Sequence, residues 1–145
     1  MKNLLFVVAV LFTNVALGQQ VPTVDILEET HWTLKKVLCS TGLPPNPGFE
    51  KGTRYDVHFL TENKFEVVIS LPKTWTIVKG KYVIGENDQL CLNENYMLTS
   101  NAPPYYYDRQ TCFIHTVYNN QLTWQIQGGE DCPAADRQIL IFEKQ

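Results

Sequence analysis

Run after run of this chain alternates apolar and polar side chains with a period of two. Arg54 to Leu60 places Tyr55, Val57 and Phe59 on one face and Arg54, Asp56 and His58 on the other. Lys64 to Leu71 repeats the pattern with Phe65, Val67, Ile69 and Leu71. Gln121 to Gln127 repeats it again with Leu122, Trp124 and Ile126. Period two with β-branched and aromatic residues predicts half-buried strands. Turn chemistry separates the runs: Thr61-Glu62-Asn63, Gly85-Glu86-Asn87-Asp88, and Asn119-Asn120, a pair suited to positive φ. Further strands are expected at His31–Leu38, Trp75–Val78 running into Lys79–Ile84, Gln89–Leu92, Thr111–Tyr118 and Gln138–Phe142. Gly80 is expected to be a bulge within one bent strand.

About eight short strands with almost no helix signal predict an all-β, antiparallel up-and-down barrel, a sandwich being the alternative. Pro22 to Glu29 is expected to make a short N-terminal helix. Two segments exceed what a hairpin needs. Ser40–Thr53 is rich in Pro and Gly, and Glu94–Gln110 holds Pro103-Pro104 followed by Tyr105-Tyr106-Tyr107. Both read as long loops.

The N-terminus reads as an export signal. Lys2 precedes the apolar run Leu4 to Phe12, and Ala16-Leu17-Gly18 offers small residues for cleavage after Gly18. The run is shorter than the about 20 residues that span a bilayer. The expected product is residues 19–145, one domain without a membrane span, secreted or periplasmic. There the four cysteines, Cys39, Cys91, Cys112 and Cys132, should form two disulfides. Closing the first strand on the last sets Cys39 near Cys132. Cys91 and Cys112 flank the tyrosine segment on consecutive strands. The pairing Cys39–Cys132 with Cys91–Cys112 follows.

An early tryptophan in His31-Trp32-Thr33-Leu34, the serial strands and a late Arg137 resemble the lipocalin-like, or calycin, barrels. Gly80-Lys81-Tyr82-Val83-Ile84-Gly85 with Leu90-Cys91-Leu92 is similar to a hairpin of bacterial lipocalin-like and META-type domains. The resemblance implies that Trp32 closes one barrel end with Arg137 packed over it, and that something binds at the other end. The chain departs from lipocalins at Thr30, where a glycine is usual, and it lacks their Thr-Asp-Tyr motif and the Gly-Cys-Asn of META domains.

Charge and motifs narrow the function further. The full chain carries a net charge of −3 with no Lys/Arg cluster, which argues against a nucleic-acid partner. There is no nucleophile elbow, metal-binding His-Glu-X-X-His, phosphate loop or Cys-X-X-Cys. No catalysis, metal or cofactor is expected. His31, His58 and His115 fall on separate strands, and His58 shares its face with Arg54 and Asp56. Tyr105, Tyr106, Tyr107 and Arg109 are the expected binding residues. Consecutive tyrosines in an extended segment cannot all face inward, so they either stack on a partner or cap the core. The partner is a small hydrophobic or amphipathic ligand, or else a protein target such as a lysozyme or protease. The bulky interior set Trp32, Tyr55, Phe59, Phe65 and Trp124 argues for a filled barrel over a cavity.

Overall fold

The computed structural model describes residues 26–41, 52–127, 132 and 136–145. Eight strands follow one another: β1 (Thr30–Cys39), β2 (Arg54–Leu60), β3 (Lys64–Ser70), β4 (Trp75–Ile84), β5 (Gln89–Thr99), β6 (Ala102–Tyr118), β7 (Gln121–Gln127) and β8 (Arg137–Lys144). Each pairs antiparallel with the next, and β8 returns to β1, closing a barrel. Closure leaves no full-length sheet edge.

Three tight turns have consecutive left-handed residues: Glu62-Asn63, Asn87-Asp88 and Asn119-Asn120. That geometry matches the right-handed twist of the flanking strands. The expected helix at 22–29 is not borne out in its described part, where Ile26–Glu29 is a turn; residues 22–25 lie outside the described set. Leu27, in that turn, is fully buried and plugs the barrel end below Trp32. Thr30 accepts the Trp32 indole N–H at 2.7 Å, and its own backbone N–H donates to Leu27 at 3.1 Å.

The core is a stack of large groups. Trp32, Phe59, Phe65, Tyr82, Trp124 and Phe142 are each at most 1% exposed. Phe59 meets Tyr82 edge-on at 4.9 Å, and Trp124 stacks on Phe113 at 4.8 Å. Such contacts fill this half of the barrel.

Both disulfides pair as expected, Cys39–Cys132 and Cys91–Cys112. They fit an oxidising compartment outside the cytoplasm. Beside the first, the carboxylate of Asp136 accepts the hydroxyls of Ser40 and Thr41, and the Thr41 N–H at 3.1 Å. These bonds hold Asp136 below the usual carboxylate range and tie the end of β1 to the start of β8.

The cation over Trp32 requires a correction. Arg137 starts β8 opposite Gln127, whereas Trp32 pairs with Lys144 at the other end of that strand. Lys144 Nζ lies 5.9 Å from the Trp32 ring centroid. The antiparallel register decides this, because seven steps of about 3.4 Å along β8 separate the two cations.

Candidate functional site

In an up-and-down barrel, alternate connections emerge at the same end. The β1–β2, β3–β4, β5–β6 and β7–β8 connections therefore share the end opposite Trp32. The described ends of the first segment singled out in the sequence, and the tip of the second, belong to that end; residues 42–51 lie outside the described set.

The second segment is not a loop. Glu94–Thr99 continues β5 and Ala102–Gln110 begins β6, so only Ser100 and Asn101 turn the chain. Its tip is tied to β4 by the Ser100 N–H, which donates to the Trp75 carbonyl at 3.0 Å. Alternation failed to reveal these strand parts because Asn93-Glu94-Asn95 and Asp108-Arg109-Gln110 are polar on both faces. A bulge adds to this. Lys79 pairs with Tyr96 but Gly80 with Glu94, and across the sheet Glu94 pairs with Arg109 but Tyr96 with Tyr106. The irregularity expected at Gly80 is there, with Asn95 as the extra residue on β5.

The bulge decides which way Tyr96 faces. Glu94 and Tyr96, two apart, would share a face in a regular strand. Instead Glu94 falls in line with Gly80 and Leu92 on the inner face. Tyr96 falls in line with Lys79, whose ammonium pairs with Glu66 at 2.8 Å on the outer face. The three tyrosines divide by the plain alternation of β6, whose Thr111 and Phe113 also lie on the inner face opposite Leu92 and Leu90. Tyr105, opposite the core-packed Met97, stacks on Tyr107 at 5.6 Å and 16°. Tyr106 turns outward and meets Tyr96 edge-on at 5.4 Å. Tyr105 is 63% and Tyr106 74% exposed, while Tyr107 is half-buried.

Glu94 organises the inner side. It accepts the Tyr107 hydroxyl at 2.7 Å. Burial, the Glu94 bond and its charge push the Tyr107 phenol well above its ordinary value. Burial, and next Glu94, do the same to Tyr55 on β2. Both phenols thus stay protonated donors across the physiological range. Arg109, exposed, stands opposite Glu94 in register. Glu94 was not among the residues expected at the site, because the expected strand ended at Leu92; prolonged by two residues, its alternation puts Glu94 on the inner face with Leu90 and Leu92.

A second polar group lies on the outer face of β1 and β2. Arg54 donates to Asp56 Oδ2 at 2.6 Å, Thr33 donates to Oδ1, and His31 Nε2 lies 3.3 Å from the same oxygen. The His31 and His58 rings are 4.0 Å apart. Burial, and next the neighbouring His31, lowers the His58 pKa. Desolvation opposes ionisation of Asp56, but hydrogen bonds from Arg54, Thr33 and His31 outweigh it and lower its pKa. Among the described residues no group of three His, Cys, Asp or Glu is arranged to hold a metal ion. His115 is used locally: its backbone N–H donates to the Asp88 carbonyl at 2.8 Å, and its ring Nδ1 lies 2.7 Å from the same oxygen.

No protein-family model, curated protein or solved structure matches this chain.

Proposed function

We propose that this chain is an exported, non-enzymatic binding protein that takes a small hydrophobic or amphipathic molecule at the open end of its barrel. The signal-like N-terminus and the disulfides support export. One observation carries the binding site: a carboxylate, Glu94, is turned inward at the rim with the Tyr107 hydroxyl already bonded to it. Tyr105, Tyr107, Tyr55 and Met97 supply apolar and aromatic walls around it. A few placed polar groups among apolar walls is the usual composition of a small-molecule site. Glu94 and the two protonated phenols orient a polar head, and the stacked rings receive the apolar part. The filled lower barrel sets the depth, so the ligand sits at the rim and not at the barrel centre.

The test is native mass spectrometry of protein purified from its source, followed by titration with dodecylamine and dodecanoate as probes. A bound small molecule is expected, with dodecylamine favoured by Glu94. Glu94→Gln should weaken dodecylamine at least about tenfold. Tyr105→Ala with Tyr107→Ala should weaken both probes, and Tyr106→Ala neither. Ligand-free protein that binds neither probe, or loss with Tyr106→Ala alone, would reject the site.

A further inference from the structure

One seam of the barrel is shorter than the rest. Among the described residues, β1 pairs with β2 only over Thr30–Thr33 and Asp56–Phe59, and every other ladder is longer. Beyond Thr33, β1 continues along β8 up to Cys39, opposite Gln138. Two histidines meet across this short seam. His31 and His58 are direct cross-strand partners, both half-buried, with ring centroids 4.0 Å apart. Neutral imidazoles pack on each other at that distance. Two imidazolium ions there are like charges set directly opposite, which weakens a strand pair. Histidine takes up its proton near pH 6.5 in water, within reach of mild acid.

The surroundings hold no spare anion for the second proton. On β2, Asp56 Oδ1 lies 3.3 Å from His31 Nε2, while Oδ2 accepts Arg54 at 2.6 Å. On β3, Glu66 stands opposite His58 and is paired with Lys79 of β4 at 2.8 Å. Lys64, two residues along β3, is paired with Glu62. On β8, Glu143 is paired with Lys35 at 3.8 Å. Gln145 donates its backbone N–H to the His31 carbonyl at 3.0 Å and has a neutral side chain. Glu28 and Glu29, in the turn before β1, are exposed and form no ion pair with either ring. With both rings protonated, Asp56, Glu66 and Glu143 stand against His31, His58, Arg54, Lys79 and Lys35. Burial, and next His31, already hold the His58 imidazole below its ordinary range.

We propose that the β1–β2 seam is an acid-opened joint: protonation of both His31 and His58 parts the two strands and loosens the β2 wall of the rim. That wall carries Tyr55, whose buried phenol feels the Glu94 charge. A histidine pair biasing a weakly held element is a known form of pH switch. The joint stands without the small-molecule reading, and only its effect at the rim rests on that reading.

Backbone amide exchange, resolved by NMR and corrected for the intrinsic pH dependence of exchange, reads the joint with no ligand present. Amides of Thr30–Thr33 and Asp56–Phe59 that bond across the seam should lose protection about tenfold between about pH 7.5 and about pH 5. The β3–β4 and β7–β8 ladders should hold theirs. His31→Gln and His58→Gln each remove one of the two charges and should keep the seam protected in acid. Native-like exchange at the higher pH shows that a variant is folded, and His31→Gln alone decides should His58→Gln not fold. In the second arm, dodecylamine should bind wild type about tenfold more weakly than His58→Gln at the lower pH, and equally at the higher. The joint is overturned by seam protection unchanged in acid, by equal loss in all ladders, or by loss that persists in both variants. Seam opening with equal dodecylamine affinity for wild type and His58→Gln in acid overturns the effect at the rim. Absence of dodecylamine binding at either pH rejects the rim reading, and exchange still decides the joint.

Discussion

Gly80→Ala tests the close approach of β4 and β5 at the bulge beside the site. A Cβ built at Gly80 lies 2.0 Å from the Asn93 carbonyl oxygen and 2.9 Å from both the Asn93 carbonyl carbon and Phe65 Cε1. Ordinary contact begins near 3.4 Å, so β4 and β5 would have to part by about 1.4 Å. Phe65 is 1% exposed and has no room to swing aside. Backbone bonds near 2.9 Å do not survive such a separation. Losing two or three of them at about 1 kcal/mol each, with about 1–3 kcal/mol of overpacking strain, gives a cost of about 3–6 kcal/mol. Urea unfolding followed by tryptophan fluorescence should show this. With a slope of about 2 kcal/mol per molar, the midpoint falls by roughly 2 M. Gly85→Ala is the control. Its nearest atom would be 3.6 Å away, and its φ is not positive, so a change within about 0.5 kcal/mol is expected. A Gly80→Ala cost below about 1 kcal/mol, or equal costs for the two variants, would refute the close-approach reasoning.

The two disulfides should differ in strength. Sequence separations of 93 and 21 correspond to about 4.6 and 3.4 kcal/mol of loop-closure entropy, so Cys39→Ser with Cys132→Ser should unfold at lower denaturant than Cys91→Ser with Cys112→Ser. The reverse order would count against the entropic account. Lys144→Ala should cost about 0.5–1 kcal/mol through Trp32, whereas Arg137→Ala should leave stability nearly unchanged; calorimetry showing the opposite would restore Arg137 to the closed end. The His58 pKa is lower folded than unfolded, so between the unfolded value near 6.5 and the folded value below it the unfolded state binds more protons. Stability should therefore fall as pH drops below about 6.5, and His58→Gln should flatten that part of a melting-temperature profile. Asp56 acts in the same direction at lower pH: its stabilisation, present above its unfolded value near 3.8, is lost as pH falls through its lower folded value.

Most of the barrel was legible in the sequence because its strands are half-buried. Arg54–Leu60, Lys64–Ser70 and Gln121–Gln127 each present one face to the core, and burial of that face is what writes the period of two. The turns were legible for a separate reason: Asn and Asp tolerate the left-handed region that tight hairpins require. Alternation stops where burial stops. Asn93–Asn95 and Asp108–Gln110 are polar whichever face they take, so nothing apolar alternates there, and the pair Pro103-Pro104 read as a loop breaker. Yet prolines on a sheet edge cost no ladder bonds where the edge is unpartnered.

The site is less legible than the fold because it lies beyond the stretch of β5 and β6 where apolar residues alternate. From sequence, the tyrosines could be named as a group, and their consecutive order required them to divide between two faces. Tyr105 and Tyr107 take the inner face and Tyr106 the outer one by the alternation of β6. Glu94 is inward in phase with Leu90 and Leu92, and the register shift at Asn95 turns Tyr96 outward, where a regular strand would have placed it with Glu94. Gly80 is the only part of this arrangement visible in the sequence, and its role there is to let the Asn93 carbonyl approach. The bulge sits beside the site: it turns Tyr96 away from the face on which Glu94 meets the phenols of Tyr55 and Tyr107.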